Sequence, residues 1–163
     1  MKTYLIIAIS LLLALNGCAK EPLSGYKKFY QQYEDADHIV SFKVPGAFAN
    51  FFIDKEDKEV KDFTKKMDNI TFLISENPTN QIILDLNKYL PESEYKQIMV
   101  VKDGSDEVTF LAKVNGKAIE EIIMTVYNPD NLVVMCMKGD FTKEDAKQIA
   151  KAIKVKDASS FRE

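Results

Sequence analysis

From Tyr95 onward the chain alternates apolar and polar residues with a period of two, and turn residues break the alternation at regular intervals. A helix cannot gather residues of that period on one side, whereas a strand must. Residues 96–102 form the first such run, ended by Asp103-Gly104-Ser105-Asp106. Val108, Phe110, Ala112 and Val114 form the second, and Asn115-Gly116 behind it is a hairpin signal, because a tight primed turn needs two positive-φ residues. Residues 119–127 follow, then the turn Asn128-Pro129-Asp130-Asn131. Residues 132–138 are apolar on both faces, as a central or helix-covered strand is, and Gly139-Asp140 is expected to close them. Four consecutive antiparallel strands result.

The chain before this block changes period repeatedly. Tyr26, Phe29, Tyr30 and Tyr33 recur at helical spacing, and an aromatic stripe of that kind more often packs as core than meets a membrane interface. Residues 39–44 read as a strand stopped by Pro45-Gly46. Ala47, Phe48, Phe51 and Phe52 make a helical face, and Val60, Phe63 and Met67 resume one after a charged run. Residues 70–75 read as a strand closed by Asn77-Pro78, and residues 79–90 as a helix ended by Pro91. Thr142 with Asp145 predicts the cap of a last helix whose inner face is Ala146, Ile149, Ala150 and Ile153. The expected fold class is α+β: an antiparallel β-meander of four C-terminal strands, joined by one or two N-terminal strands and covered on one face by helices.

The start of the chain has a different character. Lys2 is followed by an almost purely aliphatic run over residues 4–15, about a dozen residues or roughly 18 Å of helix, against a hydrocarbon core of about 30 Å. A short apolar stretch before small residues reads as a secretory signal. Leu15, Gly17 and Cys18 resemble a bacterial lipobox, with Asn16 departing from its commonest pattern. The expectation is a signal peptide over 1–17, a thiol-linked lipid on Cys18, a tether over 18–25, one domain over 26–155 and a frayed tail over 156–163. The membrane is then a partner through the anchor, and the location is the cell envelope, at the outer membrane.

Removal of residues 1–17 leaves 146 residues, enough for one cored domain, with 21 basic against 25 acidic side chains. A mildly acidic chain without a basic cluster argues against nucleic acid. With Cys18 claimed by lipid, Cys136 has no intramolecular partner, so no disulfide supports the fold.

Tyr95, Met99-Val100-Val101-Lys102-Asp103-Gly104, Val108-Thr109-Phe110-Leu111-Ala112-Lys113, Ile119-Glu120-Glu121-Ile122 and Gly139-Asp140 together resemble the DUF4252 family, small lipoproteins found mainly in Bacteroidetes. The resemblance covers nearly the whole chain after the signal and agrees with the lipobox. It implies no catalytic residue, since the family's function is unknown.

Chemistry has few carriers. His38 is the single histidine, so any Ser-His or Cys-His pair must route through it, and a turn position is the plainer reading. Cys136 sits among Val133, Val134, Met135 and Met137, which suits a buried inert thiol. Asp54, Glu56, Asp57 and Glu59 are dense but offset by Lys55 and Lys58, and Asp103 and Asp106 flank a tight turn. Asn69-Ile70-Thr71 matches a glycosylation sequon, which carries no weight beside a bacterial lipobox. No metal site, cofactor or catalytic residue is expected. The functional expectation is a non-catalytic binding or regulatory module with an envelope protein as partner. An apolar-ligand binder, with Phe48, Phe51, Phe52, Phe63, Met135 and Met137 around a cavity, is the alternative. A carboxylate-dependent enzyme using Asp103, Asp106 and His38 is the third.

Overall fold

The computed structural model describes residues 22–51 and 58–146. The lipobox, the run from Asp54 to Asp57, the side chains of Phe51 and Phe52, and the inner face of the last helix beyond Ala146 lie outside the described residues.

The first helix, α1, spans Gly25–Tyr33, and the Ser24 hydroxyl accepts the Lys27 amide at 3.2 Å to cap it. Tyr26 and Phe29 are buried, so the aromatic stripe is core. Strand β1 (Ile39–Pro45) follows, then a 3-10 turn over Gly46–Phe51 and helix α2 (Lys58–Lys65). Strand β2 begins immediately, at Met67, and ends at Glu76. Met67 therefore belongs to the strand rather than to the helical face expected of it. Its Cα pairs with Gly139 across a bulge, which recruits it into the sheet. Helix α3 (Asn80–Tyr89) is capped by Thr79, whose hydroxyl accepts the Ile82 amide at 3.4 Å.

Four strands complete the chain: β3 (Tyr95–Asp103), β4 (Asp106–Asn115), β5 (Ala118–Tyr127) and β6 (Asn131–Phe141). The hairpin forms, but Asn115 stays in β4 and pairs with Ala118, so the two-residue loop is Gly116-Lys117 and only Gly116 takes positive φ, 61°, rather than both residues of Asn115-Gly116. Gly139-Asp140 does not close β6. Pairing of Met67 with Gly139 and of Ile119 with Phe141 carries the strand past both residues. Cross-strand bonding outweighs the local turn propensity there. After it, the Thr142 hydroxyl accepts the Asp145 amide at 3.2 Å while Asp145 Oδ2 accepts the Thr142 amide at 2.7 Å, a reciprocal cap.

All six strands form one antiparallel sheet in the order β1-β2-β6-β5-β4-β3, so β1 and β3 are the edges. On one face, Tyr26 and Phe29 of α1 and Ile82 and Leu86 of α3 pack on Leu73, Ile123, Leu132 and Val134. Helical contact is not confined to that face. Phe63 of α2 and Ala146 join Ile70, Ile122, Met137 and Phe141 in a second cluster. The strand period explains this, since Ile122 and Ile123 are both fully buried and must point to opposite sides.

Candidate functional site

The residues singled out for chemistry are dispersed by the fold. Cys136 is 3% exposed beneath α1, and burial, seconded by the Glu121 carboxylate, pushes its thiol well above the ordinary range. Such a thiol is not a nucleophile. Asp103 and Asp106 pair at the β3–β4 turn, far in sequence register from His38 at the mouth of β1. Among the described residues, no group of three or more His, Cys, Asp or Glu side chains is placed to hold a metal. Phe63 stacks on Phe141 at 4.8 Å, and Met137 is buried in the same cluster, so these members of the expected cavity are packed as core. Phe48, by contrast, is exposed.

What the fold does assemble is a cleft of about 710 Å³ at one end of the sheet. It lies where α1 has ended, β1 begins, β2 ends and α3 starts. Its apolar lining residues are Ala36, Ile39, Val40, Ile74 and Ile82, and its polar ones are Tyr33, Asp37, His38, Ser75, Glu76, Asn77 and Thr79. His38 and Asn77 both hold positive φ, 63° and 52°. Left-handed backbone costs an ordinary residue about 1–2 kcal/mol, and His and Asn bear it better than most. Both line the cleft, His38 just before β1 and Asn77 just after β2, where Ile39 pairs with Ser75.

A hydrogen-bonded cluster backs the cleft. Tyr33 donates its hydroxyl to Asp85 Oδ2 at 2.7 Å, and Gln32 Nε2 donates to the same oxygen at 3.0 Å. Tyr89 donates in turn to Gln32 Oε1 at 2.8 Å. The Tyr33 hydroxyl bond, with help from Gln81 and Gln32, holds the Asp85 carboxyl below its usual range. Burial and the same carboxylate push the Tyr33 phenol up to about 12. The cluster thus locks α1 to α3 with Asp85 charged and Tyr33 neutral near pH 7.

The opposite end of the same face holds a second cluster. Tyr95 donates to Glu121 Oε2 at 2.9 Å while its oxygen accepts the Tyr26 amide at 3.0 Å. The Tyr26 hydroxyl meets Thr71 Oγ1 at 2.8 Å. Glu121 is 5% exposed, so this carboxyl is a core residue. Sequence reasoning missed it. The signal was the pair Glu120-Glu121, because two neighbours in a strand point to opposite faces and one must turn inward.

His38 is exposed at the cleft and, among the described residues, makes no hydrogen bond to Ser75 or to another nucleophile. Among the described residues, no helix is long and apolar enough to cross a membrane.

The family model described as "Domain of unknown function (DUF4252)" matches residues 33–149, more than half of the chain. No curated protein and no solved structure matches it.

Proposed function

The chain belongs to the DUF4252 family, and from that premise we propose that it is a non-catalytic binding module of the cell envelope, held at the outer membrane by lipid on Cys18. Its partner is an envelope protein, and recognition takes place at the cleft. The observation that carries this reading is the cleft itself, lined by apolar residues and by polar ones that include His38 and Asn77, both at positive φ.

The chain's direction adds support. The tether enters at Gly25, which lies so close to the Tyr89 carbonyl that a Cβ there would collide with it. Tyr89 is the end of α3, whereas the cleft gathers the end of α1 and the start of α3. A chain anchored through residues 18–25 therefore carries the cleft at the end of α1 and α3 away from Gly25, where the tether joins.

A photo-crosslinking residue in place of exposed His38, tested in intact cells, should capture one reproducible protein, and the same probe at Lys102 should not. A crosslinking pattern identical at both positions would remove the cleft from the proposal. The companion expectation is that Cys18→Ser releases a folded domain into the soluble fraction. An unfolded Cys18→Ser protein would overturn the division into anchor and domain.

The apolar lining residues Ile39, Val40, Ile74 and Ile82 favour a second reading, a small apolar ligand in place of a protein. Native mass spectrometry after gentle extraction separates the two, since this reading requires a persistent added mass.

A further inference from the structure

The two edges of the sheet are not equally guarded. Exposed edges invite pairing with other chains, and proteins blunt them with bulges, lysines and prolines. Edge β3 has all but the proline: its register slips between Gln97 and Met99, and Lys96, Gln97 and Lys102 are exposed. Edge β1 pairs with β2 without a slip over its full length, and its guards, Lys43 and Pro45, sit at one end. The stretch from Ile39 to Phe42 has none. Val40 and Phe42 on it are 61% and 42% exposed.

Those two side chains are the open ends of apolar rows that cross the sheet. Val40 continues through Ile74, Val133 and Val126 to Val108, and Phe42 through Phe72, Met135 and Met124 to Phe110. Phe42 already stacks on Phe72 at 4.6 Å. We infer that β1 pairs antiparallel with β1 of a second copy of this chain, about a two-fold axis at Ser41, giving a continuous twelve-stranded sheet.

The strand's own pattern selects this occupant. With Ser41 opposite Ser41, each Phe42 faces the partner's Val40 on the apolar side, an aromatic–β-branched pair, and each Ile39 faces the partner's Lys43 on the other. No like charges oppose one another, and both apolar faces stay on the same side, as an isologous contact requires. This goes beyond the binding-module reading and stands without it.

The test is sedimentation of the full chain over a range of concentrations. A dimer with a dissociation constant of about micromolar order is expected. Val40→Lys and Phe42→Lys should each weaken it by about tenfold or more, ~1.4 kcal/mol, while Lys96→Glu on β3 leaves it unchanged. Both β1 positions are exposed, and circular dichroism of each variant confirms that the fold is kept. Oxidation of Ser41→Cys should add a crosslinked dimer above the wild-type level, because directly opposed antiparallel residues lie about 4.5–5.5 Å apart, within disulfide reach. A wild-type chain that stays monomeric at ~100 µM, far above that constant, or a dimer indifferent to Phe42→Lys, would overturn the pairing. A dimer that Ser41→Cys fails to trap would overturn the register.

Discussion

The two faces of the sheet solve the same burial problem by different means. On the second face, three cross-strand rows are wholly apolar from β1 to β4: the Val40 row, the Phe42 row, and Val44-Ile70-Met137-Ile122-Ala112. On the first face, the corresponding rows mix Ser41, Thr71, Ser75, Thr125 and Glu121 with Leu73, Val134 and Ile123. Helices α1 and α3 rest on that mixed face, with α1 stitched to the sheet at one end and to α3 at the other by directional bonds. The contrast teaches that apolar area gives adhesion on one side, while polar contacts give a fixed helix position on the other. The cleft stands at the end of the fixed side, and its geometry depends on where α1 stops and α3 starts.

If the second face works by volume alone, deleting volume there should have the largest effect of any single change. Phe141 is 1% exposed and stacked on Phe63. Phe141→Ala is expected to cost about 3–5 kcal/mol in urea unfolding, whereas the volume-conserving Met137→Leu costs less than about 1.5 kcal/mol. A Met137→Leu loss as large as that of Phe141→Ala would show that shape, rather than volume, governs this face.

The first face should respond in the opposite way, with a near-isosteric change being costly. Tyr95→Phe removes one oxygen and leaves both the Glu121 carboxylate and the Tyr26 amide without the partner each has now. The expected loss is about 2–3 kcal/mol. Adding Glu121→Leu should recover part of it, because the buried group that lacked a donor is then gone. Simple additivity of the two changes would mean that the pair is not coupled and that the comparison of faces is drawn in the wrong place.

The same contrast explains what could be read from the residues in advance. Alternation from Val108 to Val114 and the Asn115-Gly116 turn announce strands and register, because local period and local turn chemistry decide both. The Tyr26–Tyr33 stripe and the Thr142 cap are likewise local. Met67 and Gly139 could not be placed that way, since each is drawn into a strand by the other, 72 positions apart. The cleft was equally hidden. His38 and Asn77 each read locally as a turn residue, because nothing local reveals that the pairing of β1 with β2 brings both to one cleft. The Cys18 lipobox is an expectation of another kind, read from a contiguous stretch that needs no fold, and it lies outside the described residues.

The finest difference between the faces is in pH dependence, since the polar stitching titrates and the apolar rows do not. Asp85 titrates below its ordinary 3.8 in the folded chain, so its contribution is present above that value and lost as pH falls through the lower folded one. Tyr33 shifts the other way, from 10.0 up to about 12, so its contribution is complete below 10.0 and lost as pH rises through about 12. The α1–α3 lock is therefore strongest on a plateau between these limits and loosens beyond either end. Asp85→Asn should flatten the acid limb of stability and bring the Tyr33 phenol back toward 10.0, because the carboxylate that opposes its ionisation is removed. Phenolate absorbance during an alkaline titration reads this directly, with Tyr33→Phe identifying the band. An unshifted band in Asp85→Asn would assign the raised value to burial alone, and the cleft's backing would then be packed rather than stitched.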